Sequence, residues 1–150
     1  MAHFEVILPN EVIREFEKIY GNSREIIGAM TRAGVEAVRQ QVEKTLPNPK
    51  LKEHLHVSGT YRTPSDGGIN TKVYLSGYFP FRGNRKTFSF GAYSYTKGVP
   101  VPFICNLYEY GRSDGKFPQH QFMRPAFGKK SLIEKAMLDA QKKASGGLLE

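Results

Sequence analysis

The side chains best suited to metal or nucleophilic chemistry are His54, His56, His120 and the single cysteine, Cys105. A zinc centre needs three or four nitrogen or sulfur ligands converging on one point. Here two histidines stand two residues apart and the third lies far along the chain, with no CxxC, HExxH or carboxylate cluster to complete a ligand set. A cysteine nucleophile needs access, a depressed pKa and a partner base. Cys105 follows the apolar Ile104 inside an apolar run, the setting of a packing residue, and no motif joins it to His120. The glycines at 67, 68 and 77 lack the strand, turn and helix spacing of a phosphate-binding loop. The pattern predicts no catalytic residue, no metal and no cofactor.

Charge points to a different chemistry. The formal net charge of +8 over 150 residues favours acidic partners. Arg82, Arg85 and Lys86 stand among Phe79, Phe81 and Phe88, so a basic loop beside aromatic rings can contact phosphates and stack bases. The competing reading is that the rings pack a sheet while the charges solubilise its tip, as they do for Arg112, Lys116, Lys129 and Lys130. A nucleic-acid-binding adaptor using Arg82 to Lys86 therefore stands as the alternative function.

The densest pattern is Leu107 to Phe127, LYEYGRSDGKFPQHQFMRPAF, where aromatics, glycine turns and a Phe-Met-Arg-Pro-Ala-Phe run lie between an apolar segment and a last helix. It has the composition of a docking element.

The elements that must hold it follow from periodicity. Phe4 to Leu8 alternates weakly. Pro9-Asn10-Glu11 opens a short helix carrying Val12, Ile13, Phe16 and Ile19, with Gly21 ending it. Asn22 and Glu25 have capping-box spacing, so a longer helix follows with Ile27, Met30, Gly34, Ala37, Val38, Gln41 and Val42 inward, stopping before Pro47. Residues 47–69 are rich in Pro, Gly and Ser and read as a mobile arm with a short strand near Leu55 to Tyr61. Thr71 to Phe79, Thr87 to Tyr95 and Pro102 to Tyr110 read as strands, with Pro80 to Lys86 a basic hairpin tip. The last helix begins near Arg124-Pro125 or at Ser131, which has Glu134 at capping-box spacing. The prediction is one α+β domain over residues 1–148: a small, mainly antiparallel β-sheet against a long helix of the N-terminal half and a C-terminal helix. Residues 145–150 read as a flexible end. The first residues are too polar for a signal peptide and no apolar run reaches membrane-spanning length, so a soluble intracellular protein without membrane contact is expected.

Leu107-Tyr108-Glu109-Tyr110-Gly111, then Pro118, Phe122 and Arg124-Pro125-Ala126-Phe127, resemble the aromatic-Glu-x-Gly and Pro-Phe-x-Arg-Pro-Ala pattern of the minor tail component family of long-tailed bacteriophages. The order of elements extends the likeness over nearly the whole chain. The chain departs from the pattern at Gln121, where the family has Pro before Phe, and at Arg112, where it has Thr or Ser. The resemblance implies a virion or prophage structural protein of the tail or neck, made in the bacterial host cytoplasm. It would form a homo-oligomeric ring in tail completion or head-tail joining, beside other connector or tail proteins, with non-specific contact to DNA in transit through Arg82, Arg85 and Lys86. On this reading Tyr108, Glu109, Gly111, Phe122, Arg124, Pro125 and Phe127 form the interface or structural motif. Glu109 and Gly111 fix a strand exit, Phe122 and Phe127 anchor a helix or a neighbouring subunit, and Arg124 pairs with a carboxylate or backbone acceptors. The same residues also admit ordinary roles: core packing for the two phenylalanines, a tight turn for Gly111 and a cap or solvated charge for Arg124.

Overall fold

The computed structural model describes residues 10–65 and 67–147, and its architecture is α+β: a long helix, three C-terminal helices and small antiparallel ribbons. Phe4 to Leu8, and the side chains of Val12, Ile13, Phe16 and Ile19, lie outside the described residues.

Helix α1 runs unbroken over Asn10–Thr45, where the sequence predicts two helices separated at Gly21. A glycine within an exposed helix costs only about 1 kcal/mol, and Ser23 turns its hydroxyl back onto the Tyr20 carbonyl (2.9 Å) instead of opening a new helix. Among the described residues the inward stripe begins at Ile26, which is buried, while Ile27 faces solvent; Ala37, Val38 and Val42 follow it into the core. A 3₁₀ turn, Pro49–His54, is capped by the Asn48 side chain and buries Leu51 completely. Lys52 of this turn pairs with Glu43 of α1 (2.5 Å), and Glu43 in turn holds Arg39 (2.8 Å). The 47–57 segment is thus seated on its own domain.

Among the described residues eight short strands form two long antiparallel hairpins, each interrupted once. In the first, β1 (Leu55–Val57) pairs with β4 (Val73–Leu75), and β2 (Tyr61–Arg62) with β3 (Ile69–Asn70). Residues 58–60 oppose only residues 71–72 between the two stretches, one extra residue, which is a bulge. In the second, β5 (Tyr78–Phe79) pairs with β8 (Val99–Pro100), and β6 (Phe88–Phe90) with β7 (Tyr93–Tyr95). The basic segment 80–87 is therefore not a hairpin tip. It bows out of one side of the second hairpin, facing the short connection 96–98, and the true tip is Gly91-Ala92, with Gly91 at φ +57°. The predicted single strand from Thr87 to Tyr95 is this tight hairpin.

The predicted strand from Pro102 to Tyr110 is instead helix α2, Val101–Tyr110. Val101, Cys105 and Glu109 are its buried residues, four apart, which is the helical repeat. Pro102 suits the first turn of a helix, where its missing N–H is no loss. Both predicted starts of the last helix occur, as α3 (Met123–Phe127) and α4 (Lys130–Ala144), but no side chain caps either one's N-terminus locally. The core joins Val38 and Val42 of α1, Leu51, Val73, Val101 and Cys105 of α2, and Phe122 and Ala126 at α3.

Helix α4 lies on α1 where Gly34 leaves room for Met137 and Ile133. A Cβ at position 34 would stand 2.9 Å from Met137 Cγ and 3.1 Å from its sulfur. Gly34→Val is expected to lower stability by roughly 1–3 kcal/mol through overpacking, read as a fall in the urea midpoint. Adding Met137→Ala should recover part of that loss, and additive losses would show that the two residues are not in contact.

Candidate interaction site around Glu109

The C-terminal end of α2 and the start of α3 both carry unsatisfied backbone groups; the Glu109 side chain resolves those of α3, and the segment between the helices resolves those of α2. The first N–H groups of a helix have no intrahelical acceptor. In α3 these belong to Phe122, Met123 and Arg124, because Pro125 has none. All three donate to the Glu109 carboxylate: Phe122 N (3.0 Å) and Met123 N (3.1 Å) to Oε2, Arg124 N (3.2 Å) to Oε1. A carboxylate here also meets the favourable end of the local peptide dipoles. At the other side, the last carbonyls of α2 accept from Gly111 N on Leu107 (2.8 Å), His120 N on Tyr108 (2.6 Å) and Gln119 Nε2 on Glu109 (2.8 Å).

Gly111 makes this return possible. It sits at φ +72°, ψ −172°, a conformation open essentially to glycine alone. A Cβ there would stand 2.9 Å from the Phe117 carbonyl oxygen and 3.0 Å from Gln119 N. The turn is closed by Arg112 N donating to Phe117 O (2.9 Å), by an Arg112–Asp114 ion pair (2.7 Å) and by the edge of Phe117 against Tyr108 (5.2 Å between centroids). Glu109 and Gly111 thus fix a helix exit, not a strand exit.

Burial opposes ionisation of Glu109, but the three backbone N–H groups and then Arg124 outweigh it and hold the carboxyl below its ordinary range. Arg124 Nε lies 3.9 Å from Oε1 while its guanidinium covers the Tyr110 ring at 5.1 Å. The motif residues therefore divide. Phe122 is fully buried in the core, Tyr108 is half-buried, and Glu109 is inside; Tyr110, Arg124, Pro125 and Phe127 are outside, with Phe127 51% exposed. Tyr110, Arg124 and Phe127 share an open pocket with Leu75, Pro102 and Met123. Sequence spacing did not reveal Gln119 or the Arg124–Tyr110 stack, since both depend on the chain doubling back at Gly111.

Cys105 lies in the same pocket wall, its thiol pushed up to about 11 by burial and by the neighbouring Glu109 charge, far from a thiolate nucleophile. His54 is held by its Nδ1 at the Ser76 carbonyl (3.0 Å) and edge-on to Phe79 (5.0 Å), and His56 tilts onto Tyr74. Among the described residues no group of three His, Cys, Asp or Glu side chains could hold a metal ion. Arg82, Arg85 and Lys86 are exposed on the 80–87 loop, away from the Glu109 pocket; Arg82 and Arg85 line a separate groove.

No protein-family model matches the chain, and neither a curated protein nor a solved structure matches it.

Removing the carboxylate leaves three N–H groups without their acceptor, so Glu109→Ala is expected to cost about 3 kcal/mol, seen in urea unfolding at neutral pH. Because the folded-state pKa is lowered, the carboxylate's stabilisation is present above its unfolded value and is lost as pH falls through the folded one. Glu109→Gln should lack that acid-sensitive component. An unchanged midpoint in Glu109→Ala would show that the carboxylate does not hold α3. Gly111→Ala should cost about 2 kcal/mol from backbone strain alone, and a neutral effect would place no constraint on that turn.

Proposed function

We propose that the chain is a non-catalytic structural protein of a phage or prophage, acting in tail completion or at the head-tail junction as a ring of copies beside other tail or connector proteins. The observation that carries this reading is the coupling of the two halves of the 107–127 motif. Tyr108 to Gly111 and Phe122 to Phe127 are joined by the Glu109 carboxylate, so the pattern that resembles the minor tail component family is one structural unit. That unit holds Tyr110, Arg124 and Phe127 at the surface, the aromatic and arginine chemistry that dominates protein interfaces. A second exposed aromatic pair, Phe90 and Tyr93, is carried by the β6–β7 hairpin, whose Phe90 packs on Phe103 of α2 (4.8 Å). Among the described residues no helix is long and apolar enough to cross a membrane.

The coding sequence is expected to be flanked by genes for portal, capsid and tail-tube proteins. With those products present, sedimentation should show the chain in a multimer that Phe127→Glu weakens by roughly 2 kcal/mol per contact, with its circular dichroism unchanged. Flanks without virion genes, or a multimer indifferent to Phe127→Glu and Tyr110→Ala alike, would overturn the proposal.

A further inference from the structure

We propose that the groove between the 3₁₀ turn and the 80–87 loop binds single-stranded nucleic acid. This inference is independent of ring assembly and uses a different face of the molecule. Its two sides come from segments some thirty residues apart in sequence: Lys50 stands in the 3₁₀ turn, Arg82 and Arg85 in the loop, and all three line one groove.

Charge is the first observation. Lys50, Arg82 and Arg85 make no ion pair among the described residues, while the carboxylates that do pair, Glu36, Glu43, Asp114 and Glu109, are engaged elsewhere. Glu53 is the single carboxylate in the lining, so three cations face one anion. A lone charged side chain is usually just solvated, but cations converging from two elements onto a concavity raise the local potential where an anionic chain would lie.

The second observation is aromatic. Phe79, Phe81 and Tyr108 line the same groove. Phe79 is already covered by the His54 ring and Tyr108 by Phe117, whereas Phe81 makes no ring contact among the described residues. Phe81 is half-buried, and a ring edge or face left uncovered by other rings beside unpaired cations is the arrangement that stacks an unpaired base while holding its phosphates. A duplex hides its base faces and is convex where this site is concave; an acidic peptide would meet the cations, but its carboxylate side chains do not stack on Phe81 as a base does. The loop has this position because residues 80–87 bow out opposite the short connection 96–98.

The test is fluorescence anisotropy with a short labelled oligothymidylate and the full chain, across a series of NaCl concentrations. Three phosphate contacts predict a log–log salt slope of about −2. Arg82→Gln with Arg85→Gln should weaken binding on the order of tenfold and bring the slope to about −0.7, and Lys50→Gln should reduce its magnitude by about 0.7. Phe81→Leu, which keeps the side chain apolar, should weaken binding about fivefold or more without changing the slope. Lys129→Gln with Lys130→Gln, on the surface near α4, should change nothing. Equal losses in that control pair would show diffuse attraction and overturn the site. So would binding that ignores Lys50 and Phe81, tighter binding of the matching duplex, or equally effective displacement by polyglutamate, which would reassign the groove to an acidic protein segment.

Discussion

Helix α2 is too short to persist by its own backbone bonds, and its stability is set by what holds its two ends. With ten residues it gains few complete hydrogen bonds before the terminal groups go unsatisfied. The Glu109 carboxylate reaches from the last turn of α2 to the free donors of α3, while the last carbonyls of α2 accept from Gly111 and from His120 and Gln119 of the returning segment. Removing one partner of such an arrangement leaves a buried polar group exposed to nothing, which costs more than the bond itself contributes. The placement of Phe122 and Ala126 in the core depends on this one side chain, because they sit on the backbone that it grips.

The second hairpin is organised by the same helix, and the first packs on α1. The strand pairs are two or three residues long, and an isolated ribbon of that length is marginal in water. Each is held by packing on a helix. Phe103 of α2 meets Phe88 (5.0 Å) and Phe90 (4.8 Å) of the β6–β7 hairpin, whose cross-strand pairs Phe88–Tyr95 and Phe90–Tyr93 put the aromatics on one face and the serines on the other. Val101 N donates to Gly77 O (3.0 Å), joining the start of α2 to the turn between β4 and β5. Val73 and Leu75 then reach the core that α1 completes.

The α+β class, the long early helix and the inward Ala37, Val38 and Val42 were legible because each follows from a local pattern. The failures share a cause. Val101, Cys105 and Glu109 recur every four residues, but the run VPFICNLYEY is apolar on more than one side, so the alternation of a strand and the repeat of a helix are hard to separate over ten residues. Gly21 and the Asn22–Glu25 spacing carried genuine stop and start chemistry, overridden by the continuity of α1. The 80–87 loop resembled a hairpin tip because the partners of the preceding Tyr78 and Phe79, Pro100 and Val99, lie beyond an intervening hairpin that local spacing cannot reveal. Glu109 itself was identified as a fixed point of the motif, but its partners were not, since a carboxylate bound to backbone leaves no side-chain signature at 122–124.

Position along α2 explains why the exposed chemistry falls into separate surfaces. Successive residues of a helix point about 100° apart, so one short helix can serve several neighbours at once. Val101, Cys105 and Glu109 face the core, Phe103 supports the aromatic hairpin, Ile104 and Tyr108 line the basic groove, and Tyr110 stacks under Arg124. The hairpin face is aromatic and the Tyr110–Phe127 face combines aromatic rings with Arg124, whereas the groove carries cations without ion-pair partners among the described residues. A displacement of α2 would therefore disturb all three surfaces together, and the Glu109 carboxylate is the contact that resists it.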